Sequence, residues 1–301
     1  TFMNFDRGMD ITNTGALTMS ASGNVDLKAR NFGGASQYVI DVQGYYLPLG
    51  AVPPADVATT GFNSLFIGHS FFKPFAQAMA FHGPNAGFGD HTQQVVTAGG
   101  ANGAPEALWN DAAKRGQIQS VLAGGEVELF GMTYHPDYPT LTGYRAWFDY
   151  ALSQNSDTRF FVALPWLPNP GNYDATAYGT SWHSQHEAGF HGLIDALRSE
   201  FPGVEVFGIP YGQSAVELYE RYEAGQLPDV DTLVSTSGEA IFRDSFGHAD
   251  DILEDLGALV WLRAIYSVPL STYDHDPGYA TDLKAIADSI MDEHDPLYGS
   301  P

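Results

Sequence analysis

The sequence predicts an α/β fold, a three-layer α/β/α sandwich built on a parallel sheet, and three observations carry that expectation. From residue 62 onward, apolar runs of strand length alternate with segments of helical period, the pattern of strands joined by crossover helices. A chain of 301 residues with 44% hydrophobic side chains is long and apolar enough to cover such a sheet on both faces. A polar turn, Gly68-His69-Ser70, directly follows the first run, at the carboxyl end of a strand, where open α/β sheets bind ligands.

The first run, 62–67, passes through that turn into a helix-like segment. Val95 and Val96 mark a short second run, and 127–132, 160–164 and 204–209 supply three more. Between the second and third, 105–121 reads as one helix with proline at its first position. Segment 141–152 places Tyr144, Trp147, Phe148, Ala151 and Leu152 on one helical face. Segment 187–201 does the same with Phe190, Leu193, Ile194 and Leu197, and Pro202-Gly203 stops it. The spacing of Ile252, Leu256, Leu259, Val260 and Arg263 predicts a helix over 252–266, and a short one follows over 282–291 before a polar, proline-containing tail.

The amino-terminal part differs in character. In residues 1–47, short alternating segments at 16–19, 25–29 and 38–42 are separated by Asn, Gly and Ser clusters, a β-hairpin pattern. Val39-Ile40-Asp41-Val42-Gln43-Gly44-Tyr45-Tyr46 resembles the closing strand of small β-domains appended to secreted bacterial enzymes and cell-wall proteins. A β-piece of this size is marginal alone, so it is expected either to pack on the main domain or to belong to a longer β-module. Residues 48–60, with Pro48, Pro53 and Pro54, read as a linker, and 61–301 as the main domain.

Charge and composition narrow the function. The net charge of −23 comes from 36 acidic against 13 basic residues, a field that repels phosphate backbones and anionic lipid and argues against nucleic acid as a partner. With no cysteine, disulfides, thiolate metal sites and cysteine nucleophiles are excluded. The chain starts at Thr1 without a basic or apolar leader, so a mature or trimmed form, secreted or associated with the cell envelope, is expected. No run reaches membrane-spanning length.

Ser70 is the candidate nucleophile. A serine where a strand gives way to a helix has an exposed hydroxyl and backbone N–H groups close by, though a simple helix cap would place it there too. Its partners are sought in Phe242-Arg243-Asp244-Ser245-Phe246-Gly247-His248-Ala249-Asp250. There His248 can serve as general base and Asp244 can orient its ring, with Asp250 and Asp251 as alternative acids.

These residues bring the chain, over 62 to about 266, into resemblance with the SGNH/GDSL-type hydrolases. In that family the nucleophile lies in Gly-Asp-Ser or Gly-Asn-Ser after the first strand, matched here by Gly68-His69-Ser70. The resemblance implies a serine esterase of flavodoxin-like α/β/α fold that acts through an acyl-enzyme and needs neither metal nor organic cofactor. It also implies an oxyanion hole made by the Ser70 N–H, a glycine after the second strand, and an asparagine after the third. Gly100, or its neighbour Gly99, matches the glycine. The third-strand position reads Gly131-Met132-Thr133 instead of Gly-x-Asn, so Thr133, or Asn102 from the glycine loop, is expected as the remaining donor. Asp244 and His248 lie four apart where the family has three.

The other polar clusters carry milder expectations. His69 is expected to brace the serine turn by hydrogen bonding. His183 and His186, with Glu187 beside them and His191 further on, could offer imidazoles to zinc. Three protein ligands are normally needed, however, so a solvated helix end is expected and no metal is assigned. Asp274-His275-Asp276 matches no complete calcium loop. After the third strand, Met132-Thr133-Tyr134-His135-Pro136-Asp137-Tyr138-Pro139 should border the site. Tyr134, Trp166 and Trp182 are expected there as an aromatic platform for a sugar or acyl group. The substrate is then a small-molecule or glycan ester carrying an acyl or acetyl group. The alternative is a hydrolase fold of weak activity that binds polysaccharide.

Overall fold

The computed structural model describes residues 60–300. The expected β-piece over 1–47 and nearly all of the linker lie outside the described residues.

All five expected strands form: β1 (Asn63–Gly68), β2 (Thr92–Thr97), β3 (Leu129–Thr133), β4 (Arg159–Ala163) and β5 (Val206–Ile209). They make one parallel sheet in the order β2-β1-β3-β4-β5. The chain starts at β1, steps outward to β2, and returns across β1 to build the rest. This reversal leaves a crevice at the carboxyl ends of β1 and β3, the place where such sheets take ligands.

Side-chain alternation assigns the two faces, because neighbouring strand residues point to opposite sides. Phe161 of β4 meets Phe66 of β1 and Trp261, whereas Phe160 turns the other way and stacks on Phe148 at 3.8 Å. The first face is covered by α1 (Lys73–Asn85) and α8 (Asp251–Tyr266), with α9 (Leu283–Glu293) packed on α8. The second is covered by α4 (Thr142–Gln154), with Trp147 and Phe148 buried on it, and by α6 (Ala188–Glu200). Trp261 is fully buried among Phe66, Phe72, Phe75 and Phe161. A tryptophan there withholds about 200 Å² from water, on the order of 5 kcal/mol of transfer free energy.

The helical reading needs three corrections. The single helix expected over 105–121 is two, α2 (Pro105–Asn110) and α3 (Ala112–Leu122). Asp111 between them is extended, and its carboxylate accepts from Ala113 N at 2.9 Å and Lys114 N at 3.0 Å, so it ends one helix and caps the next. The helix expected from 187 begins earlier, as α5 (Ala175–Ser181), and continues through a π-helical turn, Trp182–Glu187, into α6. Helix α7 (Gln213–Glu223) and a two-stranded ribbon, β6 (Thr232–Val234) with β7 (Ala240–Phe242), stand where no element was expected. Among the described residues, no helix is long and apolar enough to cross a membrane.

Candidate active site

Ser70 follows β1 by two residues. The carbonyl of His69 accepts from Phe72 N at 3.1 Å and Lys73 N at 3.0 Å, which starts α1, while Phe71 N is taken by His69 Nδ1 at 3.1 Å. Among the described residues nothing accepts from the Ser70 N–H, so that donor is uncommitted. The turn is held from below by Gly103. A Cβ on that residue would lie 2.5 Å from the Gly68 carbonyl oxygen and 2.6 Å from His69 Cα, closer than any side chain tolerates. Gly103→Ala is therefore expected to displace the serine turn and lower both melting temperature and any Ser70-dependent activity by at least tenfold. Calorimetry and a rate assay on the variant check this.

The structure brings Ser70, His248 and Asp244 into one hydrogen-bonded line. His248 Nε2 lies 2.9 Å from Ser70 Oγ, and His248 Nδ1 lies 2.7 Å from Asp244 Oδ2. Asp244 Oδ1 accepts from Gly247 N at 3.0 Å and His248 N at 3.1 Å. Burial pushes the Asp244 carboxyl upward, but the His248 N–H, the imidazole and the Gly247 N–H together hold it below the ordinary value. An ionised Asp244 fixes the Nδ1–H tautomer of His248 and leaves Nε2 free to accept the Ser70 proton. Asp250 and Asp251 open α8 instead. Between Asp244 and His248 the loop turns at Gly247, whose φ of +103° suits glycine and whose absent Cβ would stand 2.9 Å from Pro170 Cδ.

The loop carrying Asp244 and His248 is anchored to the sheet by aromatic packing. Trp166, just beyond β4, donates Nε1–H to the Gly247 carbonyl at 2.8 Å and stacks on Phe71 at 4.8 Å. Phe71 in turn meets the His248 ring edge-on at 5.2 Å. This overturns the expected aromatic platform. Tyr134, Trp166 and Trp182 are only 4%, 1% and 0% exposed, and Trp182 donates to the Pro165 carbonyl. They brace the strand ends and offer no open face to a ligand. Among the described residues, the exposed ring beside these three side chains is Phe246, 47% accessible, against Phe71 and His248. Sequence reasoning passed over it, although its place between Asp244 and His248 was a signal.

The expected oxyanion donors divide. Gly100 opens a one-turn helix after β2, at φ +53°, and among the described residues its N–H has no backbone partner. Asn102 is exposed on the same turn. Thr133 is fully buried, and its hydroxyl is already engaged: Oγ1 lies 3.0 Å from His69 Nε2 and donates to the Tyr134 carbonyl at 3.1 Å. Because His69 Nδ1 accepts from Phe71 N–H, the neutral ring carries its proton on Nε2 and gives it to Thr133. A hydroxyl has one proton, so Thr133 has none for an oxyanion, and that expectation is corrected.

His69 thus braces the turn as expected, and burial defines its charge. Desolvation, aided by the neighbouring His135 imidazole, lowers its pKa to about 3. The unfolded chain takes up this proton near pH 6.5 and the folded one only near 3, so stability is full above 6.5 and falls on acidification between those values. His69→Asn, which keeps an acceptor for Phe71 N–H, is expected to shrink the stability loss between pH 7 and pH 4.5 by about 2–3 kcal/mol. Urea unfolding at the two pH values reads it. His82 and His186, each lowered by burial to about 4, keep part of the acid sensitivity in the variant.

His183 and His186 do not converge. His183 Nδ1 pairs with Glu187 at 2.7 Å on the surface, whereas His186 turns inward against Tyr134. Among the described residues, no three His, Asp or Glu side chains gather as metal ligands.

No family model and no curated protein matches the chain. Solved structures do. One is a DUF4886 family protein from Bacteroides uniformis, with 16% identity over 77% of this chain and 95% of that one, at a TM-score of 0.50. Another is a GDSL-like lipase from Parabacteroides merdae, with 14% identity over 69% and 97%, at 0.40. The periplasmic domain of a lipopolysaccharide acetyltransferase from Salmonella ser. Paratyphi A has 15% identity over 66% and 82%, at 0.39. At 16% identity and a TM-score of 0.50, what the first of the three shares with this chain is the fold.

Proposed function

We propose that a chain of this α/β/α fold, with this hydrogen-bonded line at its switch point, is a serine-dependent carboxylic ester hydrolase. The observation that carries the reading is the 2.9 Å contact between Ser70 Oγ and His248 Nε2, with Asp244 2.7 Å behind the ring. All three side chains are partly accessible to solvent, so an ester can reach them.

As Ser70 Oγ bonds to the ester carbonyl carbon, His248 Nε2 takes its proton and the carbonyl oxygen becomes an oxyanion. The N–H groups of Ser70 and Gly100, neither committed to a backbone partner among the described residues, are the backbone donors proposed to meet that charge. Collapse expels the alcohol, which receives the proton from His248. Water, deprotonated by the same imidazole, then releases the acid from Ser70.

The substrate class follows from the rim. Phe246 offers an exposed aromatic face beside the base, suited to stacking against a sugar ring or an acyl chain. The net charge of −23 disfavours anionic polymers. Neutral acyl or acetyl esters, including those of carbohydrates, fit both features. Hydrolysis of short-chain p-nitrophenyl esters by the wild type against Ser70→Ala tests the proposal. Equal rates at the uncatalysed level would overturn it in favour of a binding-only role.

A further inference from the structure

Building on that ester-hydrolysis reading, we infer that His135 is a further catalytic residue, donating its Nε2–H to the oxyanion that forms when Ser70 attacks. Topology brings the two residues together. In the β1/β3 register Ile67 pairs with Met132, and Ser70 and His135 each lie three residues beyond that pair on their own chains. Tyr134 N still bonds the Ala163 carbonyl at 2.8 Å, so the chain leaves the sheet at His135, at the same end as the serine turn.

Side-chain geometry supports the placement. The His135 ring stands edge-to-face on His69, the residue preceding Ser70, at 5.4 Å and 85°. Its side chain is 14% exposed, sheltered yet reachable by solvent. His135 Nδ1 accepts from Asp137 N at 3.2 Å, so the neutral ring carries its proton on Nε2. Among the described residues, that proton has no acceptor. Burial favours the neutral form, against the opposing pull of Asp137.

Three competing donors are already engaged, whereas the Asn102 amide is exposed on the glycine turn and the Tyr211 hydroxyl is buried without a partner among the described residues. Thr133 gives its proton to the Tyr134 carbonyl, His69 gives its Nε2–H to Thr133, and Tyr144 donates to the Thr133 carbonyl at 2.9 Å. His186 packs on the Tyr134 ring and makes no ring contact with His69. His135 therefore supplies the side-chain donor that the backbone N–H groups lack. No proton is transferred: as the Ser70 Oγ–carbon bond forms, the carbonyl π pair moves to oxygen, and the Nε2–H bond to that oxygen strengthens with its charge.

The test compares kcat and KM on p-nitrophenyl acetate for the wild type, His135→Ala, His135→Phe and His135→Gln, with Ser70→Ala alongside. The alanine and phenylalanine variants are expected to lose about 100- to 1000-fold in kcat with KM changed less than about threefold, as for removal of an oxyanion donor. Glutamine, which restores an N–H donor, is expected to recover at least about tenfold over phenylalanine. If the alanine variant proves too unstable to assay, the glutamine and phenylalanine pair decides. A His135→Ala rate within about threefold of wild type overturns the inference, as does glutamine no better than phenylalanine. If Ser70→Ala is inactive in that case, the ester-hydrolysis reading stands. A Ser70→Ala variant as active as the wild type overturns both.

Discussion

Ser70→Ala is expected to lower kcat for ester hydrolysis by about 10⁴- to 10⁶-fold, the loss seen when a triad nucleophile is removed. The fold should be indifferent to the change, because among the described residues the Ser70 hydroxyl hydrogen-bonds His248 Nε2 alone and the turn is held by His69, Phe72 and Gly103. A matching melting temperature separates lost chemistry from lost structure. If Ser70 and His248 act as one nucleophile–base unit, Ser70→Ala combined with His248→Ala should be no worse than either alone. Losses that multiply in the double variant would mean that the two side chains act in separate steps.

Asp244→Asn is expected to cost about 10³- to 10⁴-fold in kcat with little change in KM. The asparagine Oδ1 can still accept from the Gly247 and His248 N–H groups, so the loop should keep its shape. The amide NH₂ would then face His248 Nδ1, which must become an acceptor. The ring proton moves to Nε2, where it confronts the Ser70 hydroxyl instead of receiving its proton. In the wild type the lowered Asp244 pKa keeps the useful tautomer in place: the ionised form contributes above the ordinary carboxylate value and is lost only as pH falls through the lower, folded one. Steady-state kinetics on the folded variant decide the matter. An Asn variant within about tenfold of wild type would remove Asp244 from the mechanism.

The strands were the easiest elements to read because burial on both faces makes them nearly continuous apolar runs, as in Phe160–Phe161–Val162. Helix α8 was legible from the helical spacing of Ile252, Leu256, Leu259 and Val260, all buried in the core. The break at Asp111 was not, since an aspartate between helix formers fits a helix interior or a new cap, and only the extended backbone distinguishes them. The π-helical turn at Trp182–Glu187 has no local signature, because its extra residue is accommodated by packing against Tyr134 and the Pro165 carbonyl.

Within the candidate site, the residue types that carry chemistry were evident in the linear chain. Ser70 at a strand end, with Asp244 and His248 in one polar loop, announces its partners by type and spacing. Donor availability was hidden. Whether Thr133 has a proton to give depends on His69, 64 residues earlier, and on the tautomer that Phe71 N–H imposes. Whether a glycine is needed depends on which backbone passes it, and the turn that Gly103 supports belongs to β1. The tryptophans follow the same logic: a large amphipathic ring reads equally as a binding surface or a brace, and only burial separates the two.

By itself, then, the amino-acid order determined the alternation of strands and helices and the parallel sheet, and offered Ser70, Asp244 and His248 as candidates, because periodicity and side-chain chemistry are local properties. Tertiary structure alone decided which donors remain free, which aromatics face solvent, and that His135 lies level with Ser70 across β1 and β3. Those are properties of pairs distant in sequence, and a pair has no energy until the fold brings its members within reach of one another.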